Sequence, residues 1–197
     1  PEITKMQTEA LLGAAFKLKK EGVDSEIEIM VPLVSDVNEF VNQKNIVLGV
    51  YKKLSKKHGL SLKYKIGTML EVPRACLVAE HIAKEADFFS FGTNDLTQTA
   101  FGFSRDDTGA FFESYFKEKI FSADPFEQID QEGVGQLMKF AVEGGRRVKK
   151  SLSVGICGEH GVEPNSIRFC RELGLNYVSC SPFRIPVARL AAAQAEL

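Results

Sequence analysis

Stretches with strand character alternate with stretches of helical periodicity along the chain, and this alternation limits the fold more than any other feature. The spacing of apolar residues predicts helices over residues 4–21, 36–57, 73–86, 133–150, 163–173 and 182–195. Short apolar runs predict strands over residues 26–34, 62–71, 87–92, 152–157 and 176–180, and a helix start follows the third strand over 93–99. Near-continuous apolar strands joined by helical crossovers are typical of a parallel sheet covered by helices. The pattern therefore predicts an α/β fold.

Five strand–helix units follow one initial helix, and this order fits two architectures. An open doubly wound sheet and the later part of an eight-stranded barrel are both compatible with it. No G-x-G-x-x-G follows the first predicted strand, which disfavours a dinucleotide-binding fold. The chain begins at Pro1 and enters a helix almost at once, so we expect it to be a piece of a longer protein.

Charge balance and cysteine usage exclude several classes of protein. The formal net charge is −1, so no strong field directs the chain to nucleic acid or to an anionic membrane. No run of about 18 apolar residues is present, so we expect no membrane span, and no signal peptide is visible. The four cysteines form no C-x-x-C pair, which favours a reducing compartment. Cys157 and His160 have a spacing that zinc could use, but no further ligands accompany them.

The connection over residues 101–130 is too long for an ordinary link between a strand and a helix. It contains many aromatic residues, namely Phe101, Phe103, Phe111, Phe112, Tyr115, Phe116, Phe121 and Phe126. We interpret it as a packed insertion with its own short helix near residues 110–118. A lid and an oligomer surface are the alternatives.

Two carboxylates are predicted at the carboxyl ends of neighbouring strands. Glu71 ends the second strand, and Asp95 follows the third. In parallel α/β folds the active-site residues commonly lie at the carboxyl ends of the strands. Mg²⁺ commonly binds one or two protein carboxylates and completes its octahedron with water and substrate oxygens. Each residue also has a structural alternative, because Glu71 could cap the helix that opens at Pro73 and Asp95 could be an N-cap.

A thiol and an anion site complete the same predicted edge of the sheet. Cys157 ends the fourth strand beside Gly158, and an ordinary thiol keeps its proton at neutral pH but can release it. The alternative is a buried core cysteine. The segment 92–94 (GTN) precedes a helix start, where free backbone N–H groups favour phosphate or carboxylate. A thiol there could protonate a carbon beside a metal-bound enolate.

Five segments carry a resemblance to a known family. They are IGTMLEVPRA (66–75), FFSFGTNDLTQ (88–98), GFSRDD (102–107), GICGEHG (155–161) and YVSCSPFRIPVARLAAAQA (177–195). Over essentially its whole length the chain resembles the C-terminal phosphoenolpyruvate (PEP)/pyruvate-binding barrel of the PEP-utilising enzymes. The glutamate and GTND segments are shared by PEP synthases and by enzyme I of the sugar phosphotransferase system. The CGEHG and SCSPFR segments resemble the pyruvate phosphate dikinases in particular.

The resemblance implies that residues 1–197 are the C-terminal part of a (β/α)8 TIM-type barrel, with about five strand–helix units and the early strands absent. It implies that Glu71 and Asp95 hold Mg²⁺ and that Cys157 protonates the enolate at its methylene carbon. The residues implied to bind PEP or pyruvate are Glu71, Gly92, Thr93, Asn94 and Asp95. The implied net reaction interconverts ATP, phosphate and pyruvate with AMP, pyrophosphate and PEP.

The resemblance also implies partners. A phosphohistidine domain and a nucleotide-binding domain would belong to the same full-length chain, and the barrel would form a homodimer in the cytoplasm, a plastid or a microbody. Val162 stands where the family commonly has a second glycine, and the arginines that bind the phosphoryl group lie on the absent early strands. We therefore expect the chain alone to be inactive in the full reaction. The alternatives are a PEP synthase-type phosphotransferase and a non-catalytic dimerisation module. The CGEHG segment argues against the synthase.

Overall fold

A five-stranded parallel sheet with helices between its strands forms the protein in the computed structural model, which describes residues 1–196. The strands are β1 (Ile27–Val31), β2 (Tyr64–Leu70), β3 (Phe88–Gly92), β4 (Ser153–Cys157) and β5 (Tyr177–Val178). The helices are α1 (Glu2–Lys20), α2 (Val37–His58), α3 (Pro73–Leu77), α4 (Ala79–Ala83), α5 (Thr93–Phe101), α6 (Phe112–Lys117), α7 (Val134–Val148), α8 (Pro164–Glu172) and α9 (Ile185–Gln194).

The strand order separates the two architectures that the sequence leaves open. The strands lie in the order β1-β2-β3-β4-β5, and every neighbouring pair is parallel. A doubly wound sheet reverses its order at a switch point, whereas this order does not reverse. Because crossovers of this kind are nearly always right-handed, successive strands added in one direction put all crossover helices on one side of the sheet. This is the winding of a barrel.

Two predicted elements differ most in the structure, and the final helix, predicted from residue 182, begins at Ile185 after a 3-10 turn. The helix predicted over 73–86 is divided into α3 and α4 at Val78, whose backbone (φ −105°, ψ 16°) leaves the helical region. Both halves pack against α7, so the break lets each of them follow the surface of that helix. The strand predicted over 176–180 contains only Tyr177 and Val178, because within residues 1–196 it pairs only with β4 and has no strand on its other side.

Strand register divides the sheet residues between two faces. Leu70, Phe91 and Ile156 lie in one row and face the helices, where they belong to the main buried core. The next residue along each strand faces the opposite side, since side chains alternate along a strand. Gly92 pairs with Cys157 directly, and extension of the β2–β3 register puts Glu71 opposite Gly92. This opposite face, which is the inner face of the barrel, thus carries Glu71, Gly92 and Cys157 in one row.

The connection between α5 and α7 is an aromatic insertion (residues 102–133). It contains a 3-10 turn, Arg105–Ala110, and then the short helix α6. Its rings pack mostly edge to face, with Phe103 and Phe112 each contacting several others. Phe112, Phe126 and Ile129 are buried. The insertion therefore has a small core of its own.

The two edges of the sheet are unpaired within the described residues. Near them, apolar side chains of α1, of α9 and of the 3-10 turn before α9 are exposed, namely Ile3, Met6, Leu11, Phe183, Ile185, Val187 and Leu190. No helix in residues 1–196 is long and apolar enough to cross a membrane.

Candidate active site

Glu71 lies directly after β2, and its side chain is almost completely buried. Its Oε1 accepts a hydrogen bond of 2.6 Å from the backbone N–H of Leu33, a residue with φ of 52° in the loop after β1. The carboxylate lies across Gly92, because a Cβ at position 92 would overlap Oε2 of Glu71. Helix α3 has no side-chain cap, so Glu71 does not cap it.

Asp95 is the third residue of α5, whose N-cap position is occupied by Gly92, so Asp95 is not an N-cap. It accepts a hydrogen bond of 3.1 Å from Nε2 of Gln98. Burial raises the pKa of Glu71, the Leu33 N–H opposes this rise, and the charge of Asp95 adds to it. The two carboxylates are therefore close enough to repel each other, and a cation between them would relieve that repulsion.

Cys157 is the last residue of β4, and its thiol is half-buried. The thiol donates to the carbonyl oxygen of Phe91 at 3.4 Å. Burial raises the pKa of the Cys157 thiol; a hydrogen bond from Ser90 opposes this, and the charges of Glu71 and Asp95 add to it. A thiol in these surroundings holds its proton at neutral pH, which suits an acid better than a nucleophile.

The start of α5 packs against the loop that follows Cys157. Gly158 has a φ of 106°, and a Cβ there would lie 3.2 Å from Oδ1 of Asn94 and 3.3 Å from Oγ1 of Thr93. The Asn94 Oδ1 atom is buried and has no hydrogen-bond partner among residues 1–196. It is therefore available to accept a hydrogen bond from a ligand or from water.

Four further residues shape the site without being predicted from the sequence. Leu33 holds Glu71, Ser90 lies beside the Cys157 thiol, and the Tyr177 ring covers Gly155 so closely that a Cβ there would overlap it. His160 is completely buried, with a ring nitrogen 2.7 Å from Oγ1 of Thr93. Ser90 left a signal as a lone hydroxyl in an otherwise apolar strand, and His160 was noticed only for its spacing from Cys157.

A cleft opens beside the thiol, between the loops that follow β4 and β5. It is lined by Cys157, Gly158, Glu159, Val162, Ser179, Cys180, Ser181 and Arg184. Arg184 is the cation of this lining. The structure thus brings together Glu71, the segment 92–95 and Cys157, and of these Cys157 lines a cleft that is open to solvent.

Comparison with known proteins finds a matching family model and several similar proteins. Residues 1–197 match the family model described as PEP-utilising enzyme, PEP-binding domain. The chain is 57% identical to a pyruvate, phosphate dikinase of Clostridium symbiosum, over 100% of this chain and 23% of that protein. It is 57% identical to a chloroplastic pyruvate, phosphate dikinase of Mesembryanthemum crystallinum, over 98% of this chain and 20% of that protein. The chain therefore spans only about a fifth of the length of these relatives, 20% and 23%.

A solved structure resembles the fold at low sequence identity. It is described as a citrate lyase from Burkholderia xenovorans, with a TM-score of 0.57, 14% identity, and coverage of 84% of this chain and 48% of that one. At this identity the likeness concerns the fold alone. Together with the unreversed strand order, it confirms the prediction of an α/β fold that is part of a barrel.

Proposed function

The chain belongs to the PEP-utilising enzyme family as its PEP-binding domain, and on this premise we propose that it binds PEP and pyruvate at the strand ends carrying Glu71, Asp95 and Cys157. The full-length protein would interconvert ATP, phosphate and pyruvate with AMP, pyrophosphate and PEP, as a pyruvate phosphate dikinase. The observation that carries the proposal is the single row formed by Glu71, Gly92 and Cys157 on the inner face of the sheet. In this row the carboxylate and the thiol lie on either side of Gly92, at the ends of the two strands that flank β3.

Glu71 and Asp95 would hold Mg²⁺. Burial, and to a smaller extent the charge of Asp95, raise the pKa of Glu71, so a divalent cation there would be stabilising. Among residues 1–196 no cluster of three or more His, Cys, Asp or Glu could hold a metal. The donor set is therefore the pair of carboxylates of Glu71 and Asp95. Such a pair fits an ion that completes its octahedron with water and substrate oxygens. When bound, the ion would supply positive charge next to the enolate oxygen.

Cys157 would act as the acid and base. In the direction of pyruvate formation its S–H proton goes to the methylene carbon of the enolate, which becomes the methyl group, and a thiolate remains. In the opposite direction the thiolate removes a methyl proton from pyruvate. Burial, which raises the pKa of this thiol, favours the protonated form that the first direction needs.

The start of α5 would bind the substrate. Gly92, Thr93 and Asn94 bring backbone N–H groups of the first helical turn to this edge, where they favour a carboxylate. The unpartnered Oδ1 of Asn94 lies beside them and can accept a hydrogen bond from a water molecule. These residues would orient PEP or pyruvate so that its methylene or methyl carbon faces Cys157.

Other parts of the full-length protein would complete the reaction. This chain covers only 20 to 23% of the length of the relatives. We propose that a phosphohistidine domain and a nucleotide-binding domain lie in the remainder, and that the barrel takes part in a homodimer. The cytoplasm remains the predicted compartment, with the plastid and the microbody as alternatives, and a plant relative is described as chloroplastic.

An activity assay on the full-length protein tests the role of Cys157. PEP, AMP, pyrophosphate and Mg²⁺ are supplied, and ATP and pyruvate are followed for the wild type, Cys157→Ala and Cys180→Ala. Cys180, a second half-buried cysteine of the same cleft, is the matched control. We expect ATP formation that requires pyrophosphate and falls at least about 100-fold in Cys157→Ala but not in Cys180→Ala. ATP formation that needs phosphate instead would indicate the synthase, and full activity of Cys157→Ala would remove it from the mechanism.

Binding of oxalate, a mimic of the enolate, tests the metal ligands separately. In the full-length protein, calorimetry should detect oxalate binding to the wild type only when Mg²⁺ is present. It should detect no oxalate binding to Glu71→Ala. Glu159→Ala, which removes an exposed carboxylate near Cys157, serves as the control and should bind normally. Unchanged binding by Glu71→Ala would overturn the metal assignment. Absence of binding by the wild type would favour a non-catalytic interaction module.

A further inference from the structure

His160 is completely buried, and both of its ring nitrogens have a partner. Nδ1 lies 2.7 Å from Oγ1 of Thr93, and Nε2 lies 2.9 Å from the backbone carbonyl oxygen of Pro125. A carbonyl oxygen can only accept, so Nε2 must carry a proton. Burial lowers the pKa of His160, which keeps the ring neutral, so Nδ1 is the acceptor for the Thr93 hydroxyl.

This contact determines the orientation of the Thr93 side chain. The hydroxyl has one proton and two nearby acceptors, Nδ1 of His160 at 2.7 Å and the carbonyl oxygen of Cys157 at 3.2 Å. The nitrogen is closer and accepts the stronger hydrogen bond. Thr93 is itself fully buried and follows Gly92, against which Glu71 packs. The imidazole of His160 therefore fixes the side chain of Thr93, the first residue of α5, by a buried hydrogen bond.

The other nitrogen of the ring binds the aromatic insertion. Pro125 is buried in the part of the insertion that returns to α7. Four residues further on, the backbone N–H of Ile129 donates to Oγ of Ser166 at 3.0 Å, and that hydroxyl donates to Glu163. The returning part of the insertion is thus attached at two points to the segment that follows Cys157. One of these points is His160.

We propose that His160 is a positioning residue, which holds Thr93 in the substrate site through Nδ1 and couples that site to the aromatic insertion through Nε2. The inference rests on the proposed function of the site. His160 acts through Thr93 and transfers no group, because neither of its ring nitrogens is free. It makes the insertion a structural support of the site, although the insertion is remote from Glu71 and Cys157 in sequence.

Two substitutions separate the two contacts. His160→Asn keeps an oxygen near the position of Nδ1 that can accept from Thr93, but it loses the donor to Pro125. His160→Gln keeps an N–H near the position of Nε2, but it loses the acceptor for Thr93. In the full-length protein we expect His160→Gln to lower kcat for pyruvate formation by about 10- to 100-fold, as expected for a misplaced substrate-positioning group, with a smaller change in KM.

Hydrogen exchange gives a readout that does not depend on activity. His160→Asn should speed amide exchange in residues 102–133 and lower kcat less than His160→Gln does, whereas His160→Gln should leave exchange there near the wild-type rate. His81→Gln and His81→Asn, at an exposed histidine, are the controls and should match the wild type in both assays. Wild-type kcat, KM and exchange in both His160 variants would overturn the proposal. An inactive wild type would count against the proposed function, and exchange would still test the coupling to the insertion.

Variants of Thr93 test the same contact from its other side, and the single Thr93 variants remain informative if a His160 variant fails to fold. Thr93→Val removes the hydroxyl at nearly constant volume, and Thr93→Ser keeps it. We expect Thr93→Val to reproduce the loss of kcat seen in His160→Gln, Thr93→Ser to restore most of it, and the double variant Thr93→Val/His160→Gln to be no worse than Thr93→Val. If Thr93→Val kept wild-type kcat, or if the two losses added fully, His160 would not act through Thr93.

Discussion

At the scale of single residues, the candidate site depends on where side chains are absent as much as on where they are present. Gly92 leaves the space that the Glu71 carboxylate occupies, and Gly155 leaves the space for the Tyr177 ring. In both cases the glycine lies in a strand whose register puts it beside the larger residue. Glycine in these strands thus permits close approach, which is one of its recognised uses within a sheet.

Gly92→Ala should therefore displace Glu71. The new methyl group would overlap Oε2 and Cβ of Glu71 and Cε of Met69, so the carboxylate must leave its bond to Leu33. We expect Mg²⁺-dependent oxalate binding to be lost and stability to fall by about 1 to 3 kcal/mol. Gly109→Ala is the matched control, since a Cβ there meets nothing within 4 Å. Normal oxalate binding by Gly92→Ala would contradict the assigned position of Glu71.

The Cys157 thiol should be slow to react with alkylating agents at neutral pH. Its pKa is raised by burial, and the thiolate that attacks such agents forms only as the pH rises through that higher pKa. We expect the rate of iodoacetamide labelling at Cys157, followed by peptide mass spectrometry, to rise with pH at higher values than for glutathione. Ser90→Ala should shift the profile further upward, because the Ser90 hydroxyl stabilises the thiolate. A profile at or below that of glutathione would contradict a raised pKa of the Cys157 thiol.

At the scale of secondary-structure elements, periodicity and capping account for most boundaries. Helix α2 begins after Asp36, whose side chain accepts from the N–H of Asn38, and ends at Gly59, which has a φ of 66°. Both signals are local in the sequence, so the predicted range 36–57 is close to the observed Val37–His58. The division between α3 and α4 has no such signal, because it follows from packing against α7.

Glycines inside helices should respond to substitution in opposite directions. Gly49 lies on the exposed side of α2 with nothing within 4 Å of a Cβ, so Gly49→Ala should stabilise the protein by about 1 kcal/mol. Gly145 in α7 is buried, and a Cβ there would overlap Leu152 and contact Phe89 at 3.0 Å. Gly145→Ala should therefore destabilise by about 1 to 3 kcal/mol. Chemical denaturation at low protein concentration measures the free energy of unfolding of both variants. If Gly145→Ala were as stable as Gly49→Ala, the packing described for α7 would be contradicted.

At the scale of the whole molecule, the sheet is an open part of a barrel. In the described residues β1 and β5 each have one strand neighbour, and apolar side chains of α1 and α9 lie exposed beside these edges. Unpaired strand edges and apolar patches favour association with other chains. The relatives, of which this chain covers 20 to 23%, contain additional chain that could cover both edges.

We therefore expect the 197-residue chain to self-associate when it is expressed alone. Light scattering should give a mass that rises with protein concentration, whereas the full-length protein should give a constant mass. Leu190→Lys, at a residue that is 61% exposed, should reduce the association, and Lys150→Ala, at an exposed position away from α9, should not. A stable monomer at all concentrations would contradict this account of the open edges.

By itself the sequence determined the alternation of strands and helices, and it put Glu71, the GTND segment and Cys157 at strand ends. Periodicity, caps and turn residues are local, so they can be recognised without knowledge of the fold. Only the tertiary structure decided which distant groups meet at the site. The Leu33 N–H holds Glu71 across 38 residues, and His160 joins Thr93 across 67 residues and Pro125 across 35. These contacts depend on strand register and on how the insertion packs, and no local pattern in the chain encodes either of them.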